Sequence, residues 1–505
     1  MKLSRVRCLS LVCIVSCVLG CGVASTTREP PPREAWDAFY MQGSKIGYGH
    51  TQQVPVDDDG RRLLKVIGQT EMTIQRFGQS TTMRIECTSW ETFDGSLMRF
   101  ECTTELGPTP QTTRGRIEGR KLVITPDSGR VATVTVPKDG KLGGFNAIDQ
   151  SLARAPMKPG ETRSVLSLWP VVNQPAATTL VARDFEPTVL LSGTYELLRI
   201  DAVTSLHGSP AIESTLWTDR GGEVLKNQVA SINQTSYRTS REVATGASTT
   251  PAFDLGEATL VQLASPLDDP HQASRIVYKI TLAGGDPARV FATGQSQQVR
   301  TLGPHEAEVT VRTLRPDSPL VEGLPADRPT DDDRRPSDLV QSDDPTVVAL
   351  AEEAVLAKEA APGETDPWTT AVKLEAFVHR KIRMKNFSQA LASAAEVASS
   401  LEGDCTEHAV LLAALARARG LPSRVALGLV AVHTPPAFGF HMWTEIWVGD
   451  RWIPMDATLG LGGAGPGHLK LAHTSLATGQ GLASFLHVAP VLGRLKVEVL
   501  KVDRP

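Results

Sequence analysis

GDCTEHAVLLAALARARGLPSRVALGLV, residues 403–430, decides the C-terminal fold. Asp404 is a good N-cap, and Glu407 three residues on completes an acidic variant of the capping box. Gly420 stands at the expected C′ position, and Pro422 stops any continuation. Between them AVLLAALA is apolar around the whole circumference, which predicts a core helix. Cys405 then falls in its first turn. There the macrodipole and the free backbone N–H groups favour a thiolate, and the same N–H groups can hold an oxyanion. Asp404 and Glu407 oppose that charge, so a cationic histidine partner matters more than usual. The competing reading of Cys405 is a buried small hydrophobe.

Histidines 408, 433, 441, 468, 473 and 487 lie downstream. His408, on the same helix, reads as a packing or helix-surface residue. His441 stands in GFHMWTEIWVGDRWIPMD, residues 439–456. A two-residue turn at Gly449-Asp450 pairs 443 with 456. His441 and Asp456 then share one sheet face as diagonal neighbours, roughly 7–8 Å apart at the backbone. A three-residue loop would break that parity. The aspartate would fix the tautomer and orientation of the imidazole, leaving the other ring nitrogen for a thiol. Cysteine, histidine and aspartate together form the nucleophile, base and orienter of acyl transfer. Cys405-x2-His408 with no second matching pair is a poor zinc pattern, and neither metal nor cofactor is expected.

These segments resemble the core of the transglutaminase-like superfamily, a branch of papain-like thiol enzymes. G-x-C opens an apolar helix, a glycine and a proline-arginine strand follow, and H-x-W-x-E and W-x-P-x-D strands come after. The resemblance covers roughly residues 340–475. It implies Cys405 as nucleophile, His441 as base and Asp456 as orienter, acting on a protein or peptide substrate. Asn386 and Gln389, in KNFSQA (385–390), are candidates for a second oxyanion donor. Trp443, Trp447 and Trp452 wall an acceptor groove in one reading and pack the core in the other. The alternative function is a non-catalytic, lipid-anchored binding or assembly factor with a silent triad.

The whole chain has 505 residues, enough for about three domains. It is 41% hydrophobic and 21% charged, with a net charge of −4 and no polybasic run, so nucleic acid is set aside as a partner. Lys2, Arg5 and Arg7 precede the apolar stretch CLSLVCIVSCVLG, too short to span a bilayer. Val18–Cys21, VLGC, resembles a bacterial lipobox with Cys21 as the lipidated residue; an ordinary signal peptide is the alternative. Residues 22–35 then form a polar, proline-rich tether. The expected location is the cell envelope, on a membrane through the N-terminal lipid.

The fold class expected is α+β: a large antiparallel β region over 36–250, a small β domain or extension over 251–322, a charged linker over 323–345, and a transglutaminase-like domain over 340–505. FDGS, PKDGK and DRGGE read as hairpin turns in the first region. Of seven cysteines, three lie in the leader. Cys87 and Cys102 fall opposite each other if Asp94-Gly95 is a two-residue turn, at a hydrogen-bonded site with Cα atoms about 5.5 Å apart. They can form a disulfide there or remain two reduced core thiols.

Overall fold

The computed structural model describes residues 29–137, 141–207, 209–248, 252–355, 366–383, 391–478 and 486–505. The leader, Cys21, half of the tether, the centre of the PKDGK turn, Asn386 and Gln389 lie outside them. Among the described residues no helix is long and apolar enough to cross a membrane.

Fifteen strands between Arg33 and Thr239 form one sheet. Arg33–Met41 pairs with Gln234–Thr239 near its middle, and two meanders run outward from there. All neighbours are antiparallel except the short strand Leu142–Gly143, parallel to Thr162–Trp169. One core cluster joins Cys87, Phe100, Cys102 and Ile124 to Leu142 and Leu168. Those groups sit in opposite halves of the strand order, so the sheet curls until its halves face each other.

Cys87 and Cys102 are direct cross-strand partners and form a disulfide. The connection differs from the expected two-residue turn. Thr92 bonds to Ser96 across a three-residue loop, and a register shift between Trp90 and Glu91 restores the pairing of 87 with 102. Loop and bulge together also change the pairing class. The Cα atoms lie 4.0 Å apart, nearer the spacing of a non-hydrogen-bonded pair than the expected one.

The C-terminal part is built in layers. Strands Ser423–Val432, Ala437–Val448, Arg451–Met455 and His468–Thr474, with the short Val261–Gln262, form a second sheet. Helices Pro345–Val355, Pro367–Lys381, Ala394–Ser400 and Cys405–Ala418 share one apolar core with it. Asp344 and Asp366 cap two of them ahead of the prolines, as the sequence suggests. A second core joins Leu429, Phe438 and Leu469 to Ile276, Tyr278 and Val309 of a four-stranded sheet. That sheet orders as Gln297–Gly303, Glu306–Arg312, Arg275–Leu282 and Leu495–Asp503. The last strand of the chain therefore belongs to the small β layer, not to the 340–505 unit expected for it. Its alternation marks a strand but not the partner, because the pairing is non-local.

Residues 323–345 are not a free linker either. Val340 is fully buried in the helical core, and Asp333 and Ser337 are buried too. The buried Arg417 donates to the Arg335 carbonyl at 2.8 Å, and Asp327 holds the buried Arg424 at 2.7 Å. The charges that read as solvated are partners for arginines of the C-terminal helices and sheet.

Candidate active site

The helix that Cys405 opens is capped as its sequence dictates. The Asp404 carboxylate accepts the Thr406 N–H at 2.9 Å, and Glu407 accepts the Asp404 N–H at 2.9 Å, closing the capping box. Every residue from Thr406 to Arg417 is buried. Cys405 opens the helix, half-buried and unpaired with another cysteine.

Gly449 and Asp450 both have positive φ, 59° and 62°, the requirement of a two-residue I′ turn. Val448 pairs with Arg451 and Thr444 with Met455, so the expected register holds. His441 and Asp456 share one face, and His441 Nε2 lies 2.8 Å from Asp456 Oδ2. Met442 and Ile446, on the alternate face, pack with the helix body. The first turn of the helix nevertheless reaches the dyad: the Cys405 sulfur is near enough to act on the ionisation of His441. With Nε2 on the aspartate, Nδ1 is the ring nitrogen left for the sulfur. His408 serves otherwise, its Nδ1 donating to the Asp404 carbonyl at 2.6 Å.

Burial disfavours a charged His441, but the Asp456 carboxylate and the Cys405 sulfur outweigh it and raise its pKa from 6.5 to about 10. Burial likewise disfavours the Asp456 carboxylate, and His441 and His468 hold it well below its usual range. An imidazolium beside a cysteine sulfur is the pairing that thiol chemistry uses in general.

Two supporting residues escaped the sequence reading. His468 Nε2 is 2.9 Å from the same Asp456 Oδ2, and its Nδ1 faces the Gly465 carbonyl at 3.1 Å. Glu375, fully buried, accepts the backbone N–H of Asp456 at 2.9 Å and that of Gly463 at 2.9 Å. Glu375 lies on a helix about eighty residues before Asp456, and no spacing rule connects them. His441, Asp456 and His468 bring ligand-type atoms within 4.8 Å of one another. Their facing atoms are already taken up in hydrogen bonds among themselves, which a metal would have to displace. Trp443 and Trp452 are buried, Trp443 beside His441 and Trp452 under the Arg424 guanidinium, so these two pack rather than wall a groove.

Burial raises the Glu375 carboxyl from 4.5 to about 7 against the pull of its N–H donors. The folded-state value exceeds the unfolded one. The contribution is thus fully present below pH 4.5 and is lost as pH rises toward about 7. Glu375→Gln should remove up to about 3 kcal/mol of that pH-dependent loss. Urea midpoints of both proteins at the two ends of this window measure it. Parallel pH profiles would contradict the assignment.

Residues 354–457 match the family profile of the Transglutaminase-like superfamily, a span that holds Cys405, His441 and Asp456 but not His468. No curated protein matches the chain. A solved protein of Cytophaga hutchinsonii, titled as a candidate cysteine protease, is 18% identical over 46% of this chain and 89% of its own, with TM-score 0.29. A beta-barrel-like protein of domain of unknown function DUF1849 from Brucella abortus is 10% identical over 41% and 95%, with TM-score 0.31. The periplasmic domain of TgpA from Pseudomonas aeruginosa is 15% identical over 41% and 92%, with TM-score 0.26. By its profile match, the C-terminal part of this chain carries a transglutaminase-like superfamily domain.

Proposed function

We propose that the protein is an exported thiol enzyme that attacks amide carbonyls of glutamine side chains or peptide bonds. The observation that carries this reading is Cys405 at a helix start beside an imidazole that is itself held by Asp456. The Cys405 thiolate adds to the carbonyl carbon, and its first-turn backbone N–H stabilises the oxyanion. His441 gives its proton to the departing amine as the C–N bond breaks, leaving a thioester on Cys405. His441 then takes a proton from an incoming amine or water, which displaces the sulfur. An amine gives a cross-link, and water gives deamidation or hydrolysis.

A glutamine-containing protein donor offered with a fluorescent primary amine tests the reading. Ammonia release, amine incorporation and peptide cleavage are followed together, and each product names one branch. No turnover by any branch, with Cys405 no more reactive than a free thiol, would leave a binding or assembly role as the better reading.

The apolar leader and the VLGC sequence support a cell-envelope location, with lipid on Cys21 as the proposed membrane anchor. Cys21→Ala is expected to move the protein from the membrane fraction to the soluble exported fraction. Continued membrane retention of the variant would overturn the anchor.

A further inference from the structure

We infer that the N-terminal β domain completes the active site in cis, by delivering Arg76 as the counter-charge to Asp404 beside the nucleophile. This inference rests on the thiol-enzyme reading. Arg76 ends the strand Arg61–Arg76, and Phe77 and Gly78, both at positive φ, turn the chain into Gln79–Glu91. The tip of that hairpin reaches the catalytic unit. Arg76 Nη2 lies 2.7 Å from Asp404 Oδ2, with the Asp404 side chain 1% exposed and that of Arg76 20%. The other carboxylate oxygen, Oδ1, caps the helix. Oδ2 has no aligned hydrogen bond, so the contact with Arg76 is one of charge.

The placement is built rather than incidental. The Phe77 and Gly78 N–H groups donate to the Asp254 carboxylate at 3.1 and 2.7 Å, and Gln75 N–H donates to the Phe253 carbonyl at 3.0 Å. Ile74 and Phe253 share a small apolar core with Ile46. Eight residues after Phe253 the same segment enters the sheet that carries His441: Val261 pairs with Phe438, and Leu263 N–H donates to the Pro436 carbonyl at 2.9 Å. One strap, Phe253 to Leu263, thus ties the Arg76 hairpin to the strand that carries His441.

The electrostatic need is plain. Asp404 directly precedes Cys405, and a buried carboxylate there repels the thiolate that attacks the substrate. A residue without a capping side chain there would forfeit the helix cap. A guanidinium on the outer oxygen keeps the cap and cancels the charge. Arg76 is therefore a positioning residue that acts through Asp404, and it couples catalytic competence to the docking of the N-terminal domain.

The test uses the full chain and the rate of iodoacetamide alkylation at Cys405, read at neutral pH from the mass of the peptide that contains it. Arg76→Gln is expected to slow alkylation about tenfold, the size of a partly exposed charge contact. Arg76→Lys should recover most of the rate. Asp404→Asn keeps a competent N-cap. The double variant Arg76→Gln/Asp404→Asn should return to within about threefold of the native rate, because it removes one charge of each sign and restores the native net charge beside Cys405. An unchanged rate in Arg76→Gln overturns the inference. So does a rate that stays slow in the double variant, since that marks a purely structural role. If native Cys405 reacts no faster than a free thiol, the enzyme reading itself falls and this inference with it.

Discussion

Alanine at Cys405 is expected to remove turnover by on the order of 10⁴–10⁶-fold, whichever amide substrate is used. The sulfur is the atom that bonds to the carbonyl carbon in this mechanism, and among the described residues His408 and Thr406 cannot replace it. His408 spends its Nδ1 on the Asp404 carbonyl, and Thr406 spends its hydroxyl on Asp404 and Glu407. His441→Ala should cost a comparable factor, because the thiol then has no proton acceptor and the leaving amine no donor. The two losses should not add: Cys405→Ala/His441→Ala should be no worse than Cys405→Ala, since nucleophile and base act as one unit. Values of kcat/KM for the single and double variants measure this. Activity in Cys405→Ala within tenfold of native would remove Cys405 from the mechanism.

Local rules carried the sequence reading to this dyad. The capping box, the apolar helix and the Gly449-Asp450 turn each depend on residues within a few positions of one another, and each has the expected geometry. The large β region was legible as strands for the same reason, since turn residues and alternation are local. The curl of its sheet was not, because the core that Leu168 and Phe100 share is a packing event between distant strands. The pairing of Leu495–Asp503 with Arg275–Leu282 was hidden in the same way. Charge patterning misled at 323–345, where Asp327 looks like linker composition until Arg424 is found against it. His468, Glu375 and Arg76 each act on the site from another element, and sequence spacing holds no trace of such contacts. His468 alone could have been flagged, as one of the histidines downstream of the nucleophile. Only its 2.9 Å approach to Asp456 separates it from the others.

Asp456→Asn should lower kcat on the order of 10³–10⁴-fold while leaving the fold in place. The carboxylate has three tasks that an amide cannot share out. Oδ2 faces both His441 Nε2 at 2.8 Å and His468 Nε2 at 2.9 Å, and Oδ1 accepts the Thr458 N–H at 2.9 Å. An asparagine offers one acceptor oxygen, so at least one of these donors must face an NH₂ group. If that donor is His441, the imidazole changes tautomer and no longer presents the correct nitrogen to Cys405. The charge is lost as well, and with it the main force that raises His441 against burial to about 10. The sign of the stability change follows from both groups. Asp456 is depressed in the fold, so its contribution is present above its unfolded value of 3.8 and is lost on acidification below that. His441 is raised, so its contribution is complete below 6.5 and is lost as pH climbs through about 10. Asp456→Asn should therefore destabilise most between about pH 4 and 7, with the difference from native shrinking at either extreme. Urea midpoints across pH, read beside kcat, separate the two effects. His468→Gln, which removes only the second imidazole, should lose less kcat than Asp456→Asn, because His441 keeps its acceptor. Equal losses in the two variants would mean that the shared oxygen serves His468 first, and that the His441 tautomer is set by something other than Asp456.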